Sequence, residues 1–466
     1  MTGTLPRSDV LSSPPTALPP VERRAAIPLG FAAAGATVGI KASGRPDLAI
    51  VATLPGPDGR RRPAAAAAVF TPNAFAAAPV RLSRANLAAT APDGGGRHGW
   101  ASGIVSTSGS ANAATGAAGD ADQVAVVDAL AGALGIDTGT TLAMSTGVIG
   151  TRLPLDKVLP GIARVVAAGL VADDAGLDAA AAALRTTDSR TKVATTVVDL
   201  PAAAGVVPVR VSGIAKGVGM IHPRMATMLS VLLTDATLEP AMAGSLLRPA
   251  AARTWDQLSI DGDTSTNDTV FLLASGAAGA GQVMAGTAAA AALGAAIEAV
   301  ARDLARQQAA DGEGATTLIT CQVTGAFDDA DARAVARAVV SSSLFKAAIH
   351  GRDPNWGRIV GAAGNARLAD AAVLAAAGLP DGEASARAGR PATLEPGRLR
   401  VAIAGTLVFD GGSGGPVAFD RAGVRAAMDA PECLVRLDLG LGGGSGEAFG
   451  CDLTEAYVRE NSEYTT

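Results

Sequence analysis

The chain has 466 residues, enough to bury a sizeable core as two domains or one large α/β domain. Apolar residues make up 48% and aromatics only 3%, so closely packed Ala, Val and Leu must build that core, which excludes a disordered chain. A net charge of −5 with 17% charged residues leaves no basic surplus for nucleic acid or an anionic membrane.

Residues 1–24, rich in Pro, Ser and Thr and without periodicity, are expected to form a disordered tail. The opening M-T-G-T-L-P-R-S-D-V lacks the basic and apolar regions of a signal peptide, so no export is expected. Within 30–51 a Gly-Arg-Pro turn separates two strand-like runs; A-A-V-F within 64–82 is a third, and 94–100 reads as a loop. G-I-V-S-T-S-G-S-A-N-A-A-T-G combines a strand with a loop of small residues. The next helix is expected over about 120–134, where Val124, Val127, Leu130 and Leu134 recur at helical spacing and Asp120 or Asp122 is available as a cap. L-A-M-S-T-G-V-I-G repeats the pattern before a helix from near Leu155, which Pro160 is expected to kink or divide. An alanine-rich helix, the segment T-T-D-S-R-T-K, the strand A-T-T-V-V-D and the alternating Val207, Val209 and Val211 lead to Lys216.

Beyond it, M-L-S-V-L-L-T-D reads as a buried strand, followed by a helix over 240–259, the dense turn I-D-G-D-T-S-T-N-D-T-V, the strand V-F-L-L and a helix over 288–308. The uncharged run 269–297 exceeds a bilayer-spanning length, but its Ala- and Gly-rich second half indicates a core strand, a loop and a packed helix. The last third holds the strand T-T-L-I-T-C-Q-V, a helix over 330–341, the loop G-R-D-P-N-W-G-R, an edge strand R-L-D-L-G-L-G and a short helix capped by Asp452 or Thr454. Mixed helices and strands predict α/β or α+β layers. Cys321, Cys433 and Cys451 are odd in number and lack C-x-x-C spacing, which argues against a disulfide framework or a zinc site and for a reducing cytoplasm.

Chemistry concentrates around 216–235. Lys216-Gly217-Val218-Gly219 ends a strand in a glycine loop that fits neither the phosphate-loop nor the dinucleotide spacing, so Lys216 reads as a cation for a substrate carboxylate or as a solvated strand-end lysine. Thr227 follows Ala226 and opens an apolar strand. It reads either as a β-branched core residue or as a nucleophile, since cutting Ala226–Thr227 would give it an α-amine of pKa roughly 7.7 to 8 to serve as its own base. Ser145-Thr146-Gly147, between a strand and a helix, fits an oxyanion hole or a plain turn. Asp261 opens a calcium-like run, but Leu272 stands where the bidentate glutamate belongs, so a turn satisfied by its own side chains is expected. Glu313, in D-G-E-G, fits an ammonium partner or an ordinary surface carboxylate. His222 is near Thr227 but has no third member for a triad.

Taken together, K-G-V-G-M-I-H-P-R-M-A-T-M-L, D-G-D-T-S-T-N-D-T, S-T-G-V-I-G, D-G-E-G-A-T, G-R-D-P-N-W-G-R-I and Y-V-R-E-N-S-E-Y-T-T resemble the ornithine acetyltransferase (glutamate N-acetyltransferase) family, in order from about Ile27 to Thr466. The resemblance implies a two-domain, self-processing α/β fold with Thr227 as N-terminal nucleophile. Cleavage between Ala226 and Thr227 would give an α chain (25–226) and a β chain (227–466), expected as an α₂β₂ heterotetramer. It further implies acetyl transfer from N²-acetyl-L-ornithine to L-glutamate, with Thr146 and Gly147 as oxyanion hole and Thr186, Lys216, Thr227, Glu313, Asn461 and Thr466 as substrate contacts; Thr187 is the alternative to Thr186. No metal or cofactor is implied, and acetyl-CoA is an alternative acetyl donor in some members. The sequence departs from the family pattern at Ser106–Gly116, where hydroxyls replace two amides and Ala114 replaces a cysteine; at Arg224, where asparagine is common; and in apparent insertions around 276–295 and 370–395. These departures keep open a paralogue with another amino-acid acceptor. An N-terminal-nucleophile amidase or aminopeptidase, and an uncut binding protein, are the remaining alternatives.

Overall fold

The computed structural model describes residues 18–222 and 228–462. The chain forms β1 (Phe31–Ala36), β2 (Leu48–Thr53), β3 (Ala64–Phe70), α1 (Ala78–Thr90), β4 (His98–Ala101), β5 (Gly103–Ser110), α2 (Gly116–Leu134), β6 (Thr141–Val148), α3 (Leu155–Ala168), α4 (Asp174–Leu184), β7 (Lys192–Ala202) and β8 (Gly205–Lys216). After segment 223–227 come β9 (Leu229–Thr234), α5 (Pro240–Arg253), β10 (Leu258–Ser259), β11 (Thr269–Ala274) and α6 (Ala288–Ala310). The last part contains β12 (Leu318–Ala326), α7 (Asp329–Ser341), α8 (Ser343–His350), α9 (Trp356–Gly364), α10 (Ala371–Ala376), α11 (Asp381–Arg387), β13 (Arg400–Ile403), β14 (Thr406–Asp410), β15 (Gly415–Pro416), α12 (Arg421–Ala427), β16 (Glu432–Asp438), β17 (Gly444–Cys451) and α13 (Glu455–Ser462).

Strand periodicity explains the layers. Side chains alternate faces along a strand. In β3, Ala64, Ala66 and Ala68 enter a core shared with Phe31, Val51, Ile104 and Met144, whereas Ala65, Ala67 and Val69 enter a second core beneath α5 and α6. The six-stranded sheet β4-β3-β11-β9-β8-β7 therefore faces the four-stranded sheet β1-β2-β5-β6 on one side and helices on the other. Leu48, Ile50, Val105 and Ala143 cover the far face of the smaller sheet against Val126, Leu130, Val158 and Ile162 of α2 and α3. A seven-stranded sheet, β10-β17-β12-β16-β13-β14-β15, carries α7, α8 and α9 around a separate core. This is the expected mixed α/β layering.

The bond between residues 226 and 227 does not separate two spatial units. β8 and β9 pair antiparallel from Lys216↔Leu229 to Val211↔Thr234, and β9 also pairs in parallel with β11, so both sides of that bond build one sheet.

Several expectations are corrected. Residues 18–24 are not part of a disordered tail: Glu22 and Thr195 exchange backbone hydrogen bonds at 2.8 and 2.9 Å, Arg23 pairs with Asp303, and the segment extends along β7; residues 1–17 lie outside the described residues. The 94–100 loop includes the start of β4, and α1, unforeseen, follows β3. α2 begins at Gly116, and Asp122 does not cap it but pairs, buried, with Arg152. Pro160 lies inside a continuous α3, which the packing of Val158, Ile162 and Val165 holds through the missing hydrogen bond. α5 ends at Arg253, short of 259. R-L-D-L-G-L-G is no edge: β16 lies between β12 and β13. At α13, Thr454 caps by accepting the Tyr457 N–H at 3.2 Å, while Asp452 serves the Thr316 and Thr317 amides.

Candidate active site

The ends of β6 and β8, the loops before β7 and β11, the turn after α6 and the helix α13 converge on one cavity of about 260 Å³. That is below the roughly 300–1,000 Å³ of drug-sized sites and suits one small metabolite. Ala111, Thr146, Gly147, Thr186, Thr187, Lys216, Glu313 and Asn461 all line it.

One wall is built for close backbone approach. Gly147 has φ +134°, and a Cβ there would lie 2.3 Å from the carbonyl carbon of Gly109, so only glycine lets β6 run against β5 at this point. Behind the wall, the Asn267 amide donates to the carbonyls of Ala111 (2.7 Å) and Ser145 (2.8 Å), fixing both strand ends from the loop before β11. Gly147→Ala is expected to lower the melting temperature, with an overpacking cost of about 1–3 kcal/mol, and to cut turnover by about 10²–10³ if the wall serves as an oxyanion hole; thermal unfolding and steady-state rates check the two effects.

Charge divides the cavity. Lys216, 3% exposed, points its Nζ to within 3.4 Å of Thr146 Oγ1 and 4.0 Å of Asp188 Oδ2. Burial depresses its pKa, opposed by the nearby Asp188 carboxylate. On the other side, Glu313 Oε1 accepts the Thr187 hydroxyl (2.7 Å) and Oε2 accepts the Asn461 amide (3.0 Å). Gly219 permits this, because a Cβ there would sit 2.3 Å from Glu313 Oε2. A buried cation facing a hydrogen-bonded, part-exposed carboxylate is the complement of a free amino acid.

Thr146, Gly147, Thr186, Lys216, Glu313 and Asn461, the residues named by the family resemblance, thus line one cavity; Ala226, Thr227 and Thr466 lie outside the described residues. Both threonines of T-T-D line the cavity, and Thr187 is the one that binds Glu313. The D-G-D-T-S-T-N-D turn is not satisfied by its own side chains alone: Asp261 accepts the Met220 and Ile221 amides, and Asn267 reaches the strand ends. His222 faces Ser259, with Nδ1 3.2 Å from its hydroxyl, and does not line the cavity. Sequence reasoning missed Asp188, Asn267 and Asp268. Wholly buried Asp268 accepts the Met228 N–H on Oδ1 (3.1 Å) and, among the described residues, has no hydrogen-bond partner on Oδ2; burial pushes its carboxyl well above the usual range. The Asp188–Lys192 spacing of four was the one readable local signal among these.

A family model described as the ArgJ family matches residues 32–466. The arginine biosynthesis bifunctional protein ArgJ of Thermosynechococcus vestitus is 41% identical over 440 residues, covering 94% of this chain and 96% of that protein. The protein of the same name from Thermobifida fusca is 42% identical over 439 residues, covering 94% and 99%. A crystal structure of ornithine acetyltransferase complexed with ornithine, from Mycobacterium tuberculosis, is 37% identical with a TM-score of 0.36, covering 44% of this chain and 97% of that one.

Proposed function

The chain belongs to the ArgJ family, and from that premise we propose how its cavity works. It is an acetyltransferase of arginine biosynthesis. We infer that the chain cuts itself: the Thr227 hydroxyl attacks the Ala226 carbonyl, an ester forms as the C–N bond breaks, and the nitrogen takes up the proton. Water then hydrolyses the ester, leaving the Ala226 carboxylate and a Thr227 that carries a free hydroxyl and α-amine. With that amine as base, the hydroxyl attacks the acetyl carbonyl of N²-acetyl-L-ornithine; the amide C–N bond breaks and ornithine departs with the proton. The amine of L-glutamate then attacks acetyl-threonine, forming N-acetyl-L-glutamate and restoring the hydroxyl. The balance closes without a cofactor, and acetyl-CoA is an alternative donor.

In this reading Thr146 and Gly147 stabilise the oxyanion, Lys216 holds the α-carboxylate, and Glu313, steadied by Thr187 and Asn461, holds an ammonium. Thr186 and Thr466 complete the substrate contacts. The α piece, ending at Ala226, and the β piece, starting at Thr227, remain together, assembled as α₂β₂ in the cytoplasm. The convergence of six matched residues from separate segments on one small cavity is the observation that carries the proposal. Isotope-labelled acetyl should pass from N²-acetylornithine to glutamate without coenzyme A, with parallel double-reciprocal plots. Acetyl release at a comparable rate without glutamate would instead mean a hydrolase, and rapid transfer to another amine with slow transfer to glutamate would mean a different acceptor.

A further inference from the structure

Behind the cavity wall lies a chain of buried charges. Lys192, whose side chain is 0% exposed, donates to Asp188 Oδ1 and to Asp311 Oδ2, both at 2.6 Å. Asp188, equally buried, also accepts the Gly217 N–H on Oδ1 (2.8 Å) and the Thr186 N–H on Oδ2 (3.0 Å). Asp311 in turn accepts the Ser189 N–H at 3.1 Å. Stability is a poor reason for this arrangement, since desolvating such ions costs several kcal/mol each and well-packed apolar replacements are often neutral or stabilising. What the network does touch is the cavity, at Thr186 and at Lys216.

We propose that Asp188 and Lys192 are positioning residues that keep the Lys216 ammonium charged yet uncommitted, so that it is available to a substrate carboxylate. The inference rests on the reading of Lys216 as the carboxylate partner. Lys192 occupies Asp188 Oδ1 at 2.6 Å, which leaves Lys216 at 4.0 Å from Oδ2 rather than in a close pair. The buried charges Lys192, Lys216, Asp188 and Asp311 balance, with the half-exposed Arg190 guanidinium 3.8 Å from Asp311 at the outer end. Without Lys192, Asp311 keeps Arg190, whose Nε lies 3.8 Å from its Oδ1, whereas Asp188 has Lys216 as its nearest remaining cation, and Lys216 is drawn out of the cavity. Without the Asp188 charge, Lys216 is left beside Lys192 and Lys41, with Glu313 and Asp268 as the remaining acidic groups acting on it.

The test compares kcat/KM for N²-acetyl-L-ornithine with that for its α-carboxamide. In Lys192→Met the preference for the carboxylate should fall at least tenfold, through KM more than kcat, and Lys192→Arg should restore it. In Asp188→Asn, which keeps shape and one of the two oxygens that accept backbone N–H groups, KM for the donor should begin its rise with pH at least one unit lower than in wild type. The sign follows from the protonated form being the binding form: Asp188 raises the Lys216 pKa, so its loss moves deprotonation downward. A merely structural network would lower the melting temperature and leave both the preference and the pH limb unchanged, which overturns the inference. Lys216→Met in the same assay separates the two readings: if it retains the carboxylate preference, the assignment of Lys216 is wrong, whereas its loss there with wild-type behaviour in both network variants defeats the positioning role alone. If Lys192→Met is not recovered folded, the pH limb of Asp188→Asn decides.

Discussion

Thr227→Ala is expected to emerge as one intact chain of 466 residues with acetyl transfer reduced by on the order of 10⁶, the scale of losing a nucleophile in a covalent mechanism. Wild type should give masses for residues 1–226 and 227–466 in equal amounts. The two pieces should copurify under native conditions, because β8 ends ten residues before the cut at Lys216, β9 begins just beyond it at Leu229, and six residue pairs tie them within one sheet. Separating them would expose β9, buried along its whole length, and unpair an interior strand. Intact mass spectrometry and size-exclusion chromatography of both proteins check the prediction; an uncut wild type with full activity would overturn it.

Lys216→Met should raise KM for the acetyl donor by about 10²–10³, since removing one partner of a buried, hydrogen-bonded charge pair typically costs 2–5 kcal/mol. The side chain keeps its length and apolar stem, so the effect isolates the ammonium. Folding should survive: Asp188, which the Lys216 and Lys192 charges hold well below the usual carboxylate range against the effect of burial, retains Lys192 and the Gly217 amide. Titration of KM against donor concentration, with the α-carboxamide as reference, checks this; an unchanged KM would remove Lys216 from the carboxylate site. At the other end, Glu313 is held by Thr187 and Asn461, whose partners come from distant segments, so its loss should be felt in binding of the amine-bearing product more than in the chemical step.

Much of the site was legible before any coordinates because it is written in contiguous motifs. Thr146-Gly147, Lys216 to Gly219 and Glu313 each sit in a short run that allows a site role or a plain one, and the resemblance to the ornithine acetyltransferase family is what chose between them. The supporting residues were less visible because their partners are remote: Thr187 reaches Glu313 across 126 positions and Asn267 reaches Ala111 across 156. The turn around Asp261 was misread for the same reason, since its carboxylate turns away to the amides that follow Gly219. α1 carried a readable start in Pro79, but its short apolar runs lie beside β3 and were taken with it.

Composition and period alone determined that this chain packs alanine and valine on both faces of buried strands, and the motifs shared with the ornithine acetyltransferase family singled out a threonine, a lysine and a glutamate as its chemical candidates. Those properties are local: alternation along a strand and the chemistry of a motif depend on neighbours a few residues away. Only the tertiary structure decided that β16 is interior, that residues 18–24 extend along β7, and that a second lysine stands between Asp188 and Asp311 so that Lys216 can face the cavity. Strand order and the pairing of buried charges are set by contacts between segments far apart in the chain, where low dielectric makes the choice of partner energetically large and sequence spacing carries no record of it.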